Sequence, residues 1–232
     1  GDSCGQGSGA GGGVSLEVGT LAGNGSIQAS GGNAVCSGFG SRRGGGGGRI
    51  AVYAQNFSGF NTSSIKALGG NSGNNTDGGV GTVYLRDTDE PSGTLIIDAT
   101  GGLAGWTPLG VPGTNRLIIP DVVIIRGPNT SVGAEHLGLV LEFQHELRIE
   151  NSALLVLDGP SVVFAVPPVI RNGGRLEVTG PWTLNVPLTL TTNGVVTISG
   201  ALTSTVPVNL LGGTLSLDQL VAPAVSLLNG AV

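Results

Sequence analysis

The sequence predicts an all-β chain that folds as a right-handed parallel β-helix, a form of β-solenoid. Three observations support this fold class: short stretches alternate apolar and polar residues, strand motifs recur at regular intervals, and glycine pairs follow or precede them. Period-two alternation places one face of a strand on a core, and repeats of roughly 20 to 50 residues are typical of solenoids. The sequence contains no sustained 3.6-residue apolar stripe of the kind that marks an amphipathic helix.

The first hundred residues contain one pattern three times: a strand, a polar bend, a second strand and a Gly-Gly exit. The first strands begin at Val14, Ile50 and Val83, so the period falls within the range of solenoid repeats. The second strands contain an isoleucine at the matching place: Ile27, Ile65 and Ile97. Each unit is too small to bury its apolar edge alone, so we expect successive units to stack in parallel.

The second half repeats with a shorter period. Its strand motifs begin at Leu155, Leu176, Val196 and Leu215, and the interval between them is close to the lower limit of solenoid repeats. Three of these strands follow turn dipeptides: Gly173-Gly174, Asn193-Gly194 and Gly212-Gly213. Glycine and asparagine tolerate the positive φ angles of tight corners, so these pairs predict corners between strands.

The chain is expected to have three segments. Residues 1–103 form a glycine-rich long-coil solenoid, 104–150 an irregular middle segment and 151–232 a short-coil solenoid. Within the middle segment, Ala134 to Phe143 is interpreted as a short helix or an irregular cap. A β-sandwich is the alternative fold, because it also has short strands at closely spaced, regular intervals. Strand motifs that recur in the same order with the same exits favour the solenoid.

Composition excludes several classes of protein. The 44 glycines among 232 residues occur in runs rather than at every third position, which excludes collagen. A hydrophobic content of 39% argues against disorder, and a net charge of −5 argues against a nucleic-acid partner. No apolar run approaches the roughly 20 residues that span a bilayer, so we expect no membrane insertion. Because the chain contains no methionine, we expect a processed product or a piece of a longer protein.

Two stretches carry a resemblance to known proteins. The run Gly44–Tyr53 and the stretch Leu21–Ile27, with the Gly-Gly-Asn exits, resemble glycine-rich repeats of very large β-helical cell-surface and secreted proteins. The later Asn-Gly coils are similar to those of autotransporter and filamentous-haemagglutinin-type adhesin passengers. The resemblance implies a β-helical scaffold at the cell surface or outside the cell. It carries no catalytic motif to this chain.

The two cysteines, Cys4 and Cys36, are separated by nearly one period of the long repeat. They could therefore lie above one another on neighbouring coils and form a disulfide, which would stabilise the fold by about 3–4 kcal/mol. Two unpaired thiols are the alternative. Without nearby histidines, two cysteines are too few for a zinc site.

Five Asn-x-Ser/Thr sequons provide candidate N-glycosylation sites: Asn24, Asn56, Asn61, Asn74 and Asn129. In a eukaryotic extracellular chain these asparagines would accept glycans, whereas in a bacterial chain they would be polar turn residues.

Few side chains suggest a reactive or binding site. The acidic cluster Asp87, Asp89 and Glu90 offers oxygen ligands for a hard cation such as calcium, but it lacks the spacing of an EF-hand, and a charged turn is the alternative. The run Gly44–Gly48 lacks the Lys-Ser/Thr of a phosphate loop and is expected to protrude or to pack flat against a neighbour.

Each histidine is next to a glutamate, in Glu135-His136 and His145-Glu146. Adjacent strand residues point to opposite faces, so neither dipeptide is expected to form a catalytic pair by itself. Trp106 and Trp182 could be platforms for stacking sugars, although partial burial at a corner is the preferred interpretation of Trp182.

These observations favour a non-enzymatic structural or adhesive module of a large extracellular surface protein or filament. Its expected partners are neighbouring coils or subunits of the same protein, joined end to end, and glycans, with no cofactor. The last residues, 227–232, are apolar and lack a polar cap, which predicts continuation or end-to-end association. The alternatives are a carbohydrate-binding module and a β-helical polysaccharide-degrading enzyme, which would use converging carboxylates.

Overall fold

The structure, a computed structural model, describes four stretches of the chain: 8–34, 43–73, 76–103 and 105–232. It is all-β, with 51% strand and 3% helix. The helical segments of the described stretches are single 3-10 turns at Thr62–Ser64 and Gly159–Ser161, and neither is long enough to cross a membrane. The chain divides into two units, Gly1–Thr107 and Pro108–Val232.

The strands of the first unit are β1 (Gly13–Gly23), β2 (Ile27–Gln28), β3 (Arg49–Phe60), β4 (Ile65–Lys66), β5 (Thr82–Asp87) and β6 (Thr94–Asp98), and β7 (Gly105–Leu109) crosses into the second unit. Strands β1, β3 and β5 pair in parallel. Val14 lies opposite Ile50, and Ile50 lies opposite Val83. Strands β2 and β4 also pair in parallel, with Ile27 opposite Ile65. The predicted spacing of the long repeats is therefore confirmed as strand register.

The third repeat departs from the predicted pattern. Its second strand, β6, pairs antiparallel with β5, so that Tyr84 lies opposite Leu95. The connection between the two strands contains a tight turn in which the Glu90 N–H donates to the Asp87 carbonyl at 3.2 Å. A parallel return needs a long crossover, whereas the short link 88–93 has room only for a hairpin.

Apolar side chains from the parallel strands form the core of the first unit. Ile50 and Val52 of β3 are buried together with Ile65 of β4 and Val83 of β5. Side chains of β1 and β5, among them Leu16, pack against this cluster while staying partly exposed. Alternate residues of the three long strands therefore point inward, as the period-two pattern predicts.

Beside this core, glycine segments of the first unit pack backbone against backbone. The Gly70 N–H donates to the Gly45 carbonyl at 2.8 Å, and the Gly45 N–H donates to the Gly32 carbonyl at 3.0 Å. The Gly32 N–H in turn donates to the Gly9 carbonyl at 2.9 Å. A Cβ added to Gly45 would lie 2.0 Å from the Gly9 oxygen, which leaves no room for a side chain. Of the two roles expected for Gly44–Gly48, flat packing is the one observed.

Substitution of Gly45 by alanine should destabilise the first unit by about 1–3 kcal/mol, because the new methyl group overlaps a backbone carbonyl that cannot move independently. Gly46→Ala is the matched control. Its Cβ would find no heavy atom closer than 3.9 Å, so we expect a change within about 0.5 kcal/mol. Chemical denaturation of both variants measures the difference, and equal stabilities would contradict the glycine packing.

The second unit contains seventeen strands after β7: β8 (Arg116–Ile119), β9 (Val122–Arg126), β10 (Thr130–Ala134), β11 (Val140–Phe143), β12 (Leu147–Glu150), β13 (Leu154–Asp158), β14 (Val162–Phe164), β15 (Val169–Ile170), β16 (Arg175–Thr179), β17 (Trp182–Leu184), β18 (Thr189–Thr191), β19 (Val195–Ser199), β20 (Ala201–Ser204), β21 (Val208–Leu211), β22 (Thr214–Ser216), β23 (Gln219–Val221) and β24 (Val225–Leu228). In the pairings within this unit, each strand lies parallel to the strand three places further along the chain.

One column of aliphatic side chains runs through six of these strands. Consecutive members lie opposite each other in register: Ile125, Ile149, Ile170, Leu190, Leu210 and Leu227. A second column contains the four predicted strand starts, Leu155, Leu176, Val196 and Leu215. The predicted stacking of apolar residues is confirmed, and the interval between consecutive members becomes shorter toward the end of the chain.

Left-handed backbone forms the predicted corners. Asn172 and Gly173 have φ angles of 53° and 75°, and Asn193 has a φ of 61°. The residue that follows each corner must be glycine because there is no room for a side chain. A Cβ at Gly174 or Gly194 would lie 2.2 or 2.3 Å from the carbonyl oxygen of an earlier repeat. The corners therefore need both an αL residue and a residue without a side chain.

The middle segment, 104–150, also contains strands. The helix considered for Ala134 to Phe143 is wrong: β10 ends at Ala134, a turn follows, and β11 begins at Val140. Strand β11 is held in place by two parallel neighbours, β8 and β14. Parallel register in this unit also argues against the β-sandwich alternative, whose strands pair antiparallel. The same stacking continues past residue 150, where Ile149 lies opposite Ile170.

Candidate functional site

The outward face of β1, β3 and β5 places polar and aromatic side chains side by side. Glu17 of β1 lies opposite Tyr53 of β3, and Tyr53 lies opposite Arg86 of β5. The ring of Tyr53 meets that of Tyr84 edge to face, with centroids 5.8 Å apart. Because inward and outward residues alternate, these side chains lie on the face opposite the apolar core.

A shallow depression lies on this face. Its lining comes from three strands or strand ends: Glu17, Val18, Gly19, Gln55 and Thr88. Gly19 contributes to its openness, since the nearest heavy atom to a Cβ added there is the Gln55 Oε1, 4.0 Å away. We call these five lining residues the polar depression. The alignment of the repeats, which pairs Gly19 with Gln55, is the sequence signal for this depression, although the sequence analysis did not single out its residues.

A second candidate surface lies in the second unit, where strands β23 and β24 form sheet edges. We call these two strands the open edge. Leu227 belongs to the main aliphatic column, yet it is 56% exposed, whereas its neighbour Leu210 is 2% exposed. Val225 lies opposite the buried Val208 and is likewise exposed. Side chains that point toward a core in earlier repeats are therefore open to solvent on β24.

Ion pairs connect neighbouring repeats of the second unit. Arg116 of β8 pairs with Glu142 of β11, and Arg171 pairs with Glu150 of β12 at 2.7 Å. The hydrogen bond from the Arg116 guanidinium holds the pKa of Glu142 below its ordinary value of 4.5. Glu146 pairs with Arg148 two residues away. These carboxylates are ion-pair partners of arginines rather than members of a carboxylate pair.

The His136 ring connects two backbone segments in the turn after β10. Both ring nitrogens contact backbone carbonyl oxygens at 2.9 Å, Nδ1 that of Leu137 and Nε2 that of Thr114. Since carbonyl oxygens only accept, both nitrogens donate when the ring is protonated. The Leu137 and Thr114 carbonyls, and then the Glu135 carboxylate, raise the pKa of His136 above 6.5. Nε2 lies 3.7 Å from Glu135 Oε2, because a turn rather than a strand brings these adjacent residues together.

His136 should make stability depend on pH. Because its pKa is raised on folding, the stabilisation is complete below pH 6.5 and is lost as the pH rises through the folded-state pKa. We expect His136→Gln to lower the free energy of unfolding more at about pH 5.5 than at about pH 8.5. Denaturation across this range, with NMR titration of the ring, measures the effect. A folded-state midpoint at or below 6.5 would contradict it.

The two tryptophans lie in different environments. Trp182 is 1% exposed, and its ring meets Phe164 at 6.0 Å, which in turn stacks on Phe143 at 5.4 Å. This aromatic series fills the core, so the interpretations of Trp182 as a sugar platform or as a partly buried corner residue are both wrong. Trp106 is 51% exposed, so a role as a stacking platform stays a prediction for it.

The predicted cation site is not formed. In the described stretches no group of three or more histidine, cysteine, aspartate or glutamate side chains could hold a metal ion, and this includes Asp87, Asp89 and Glu90. Asp87 instead accepts a hydrogen bond from the Asp89 N–H at 3.0 Å and stabilises the turn after β5. The charged-turn alternative describes this cluster.

Three of the sequon asparagines, Asn24, Asn56 and Asn61, are exposed, and Asn129 is half-buried. The Asn61 Oδ1 accepts from both the N–H and the hydroxyl of Ser63, its own sequon serine, at 3.1 and 2.7 Å. Asn74 lies outside the described residues, as do Cys4 and Cys36. Glycosylation and the disulfide stay predictions.

Comparison of the chain with protein families, curated proteins and solved structures finds no match. Two surfaces of the molecule therefore indicate its function: the polar depression of the first unit and the open edge of the second.

Proposed function

We propose that this chain is a non-enzymatic structural module of a large extracellular surface protein or filament, built as a right-handed parallel β-helix. In the second unit every strand pairing joins a strand to the strand three places later, as expected if three strands make one coil. The right-handed sense follows the strong preference of parallel crossover connections. As in the adhesin-type proteins that its repeats resemble, its role is to stack coils and present loops.

The exposure of Leu227 is the observation that supports this function best. Its column is buried in every earlier repeat and becomes solvent-exposed on the last strand. A strand edge with apolar side chains and unpaired backbone groups favours addition of another strand. The proposed partner of the open edge is therefore a coil of the same kind in a second copy of this chain.

Two other features agree with a structural role outside the cell. The ion pairs Arg116–Glu142 and Arg171–Glu150 join successive repeats, so they fix coil against coil. Exposed sequon asparagines lie at Asn24, Asn56 and Asn61, where attached glycans would project into solvent.

Substitution of Leu227 by glutamate should weaken self-association of the isolated chain, because a charge at the open edge opposes stacking of a further coil. We expect the unsubstituted chain to associate with increasing concentration in sedimentation velocity and Leu227→Glu to weaken association about tenfold or more. Leu137→Glu is the matched control, since Leu137 is 93% exposed in a turn away from the edge.

Two outcomes would refute this proposal. One is an unsubstituted chain that stays monomeric at every concentration tested. The other is a Leu227→Glu variant that associates as strongly as the unsubstituted chain, which would assign association to a different surface.

A further inference from the structure

The polar depression brings together polar side chains from three distant parts of the sequence. Glu17, Gln55 and Thr88 come from successive repeats and meet because β1, β3 and β5 are in parallel register. Tyr53 lies between Glu17 and Arg86, each about 4.8 Å away across the sheet, the usual spacing of strands. An aromatic ring is thus flanked by an acceptor on one side and a donor on the other.

We propose that the polar depression binds a neutral oligosaccharide. The Glu17 carboxylate, the Gln55 amide and the Thr88 hydroxyl offer acceptors and donors for the hydroxyl groups of a sugar ring, and the Arg86 guanidinium lies beside the depression on the same face of the sheet. Tyr53 is partly buried beside the depression, and its ring offers an apolar face for the C–H groups of the sugar. Hydroxyl groups that lie across Tyr53 would meet Glu17 on one strand and Arg86 on another.

The shape and charge of the depression favour this ligand over others. Small apolar ligands bind in concave, largely enclosed pockets, whereas this depression is shallow and lined by Glu17, Gln55 and Thr88. The lining contains one carboxylate, Glu17, and no basic side chain, and the acidic residues Asp87 and Asp89 flank Thr88, so a strongly anionic ligand is repelled. An uncharged, polyhydroxylated chain lying along the sheet fits both properties.

Gly19 supports a binding role. Glycine inside a strand weakens the strand, and it often marks a place where a ligand or another backbone approaches closely. The space beside Gly19 is empty of protein, because a Cβ added there would have no heavy atom closer than 4.0 Å. In the glycine core around Gly45, by contrast, the close neighbour is backbone. The residue at position 19 therefore keeps the depression open toward solvent.

Filling the depression should remove binding without disturbing the fold. Gly19→Val adds a β-branched side chain, which suits a strand, into open space beside Gln55. The matched control is Gly13→Val on the same strand and the same face, where an added Cβ also meets nothing within 4 Å. Glu17→Ala removes the acceptor, and it tests the site independently if Gly19→Val fails to fold.

The measurement is retention on an array of neutral, sialylated and sulfated oligosaccharides, followed by titration of the neutral glycan retained most strongly. We expect the unsubstituted chain and Gly13→Val to bind this glycan equally, and Gly19→Val and Glu17→Ala to bind it about tenfold or more weakly. Circular dichroism verifies that each variant is folded.

Failure to retain any neutral glycan, retention of charged glycans only, or equal binding by Gly19→Val and the unsubstituted chain would each overturn the inference. The inference does not depend on the proposed stacking function, because the depression lies on a sheet face of the first unit and the open edge belongs to the second. The self-association of Leu227→Glu therefore tests only the stacking function, and the glycan binding of Gly19→Val tests only the oligosaccharide site.

Discussion

Parallel register between successive repeats is the constraint on which the rest of this structure depends. In the second unit Leu155 lies opposite Leu176, and Leu176 lies opposite Val196, so each aliphatic side chain packs on the next. A shift by one residue would turn every inward side chain outward. Register therefore fixes at once the core, the ion pairs between repeats and the set of residues that face solvent.

The two units meet this constraint in different ways. In the second unit, columns of isoleucine, leucine and valine fill the space between strands, and glycine serves corners such as that at Gly174. In the first unit, glycine segments approach so closely that backbone hydrogen bonds replace side-chain packing, as between Gly45 and Gly32. A sequence with 44 glycines can therefore be well packed without a large aliphatic core throughout.

Much of the fold could be predicted from sequence because the repeat signal reports register directly. Val14, Ile50 and Val83 align in the sequence and lie opposite each other in the structure. Prediction from sequence failed where the repeat pattern did not determine which strands pair or which side chains pack together. The short link before β6 produced a hairpin, β11 formed where a helix was considered, and Trp182 joined an aromatic series in the core. The hairpin follows from the short local link, whereas for β11 and Trp182 contacts with distant segments outweighed local preference.

The sequence alone determined the strand spacing, the alternation of inward and outward residues and the αL corners, because period and backbone preference are local properties. Only the tertiary structure decided which outward residues from different repeats become neighbours. Glu17, Gln55 and Thr88 are far apart in the chain, and the stacking of three strands brings them into one depression. It also decided that Leu227, an ordinary member of its column by sequence, is exposed, since its strand β24 lies at the edge of the sheet and an edge position is not a local property.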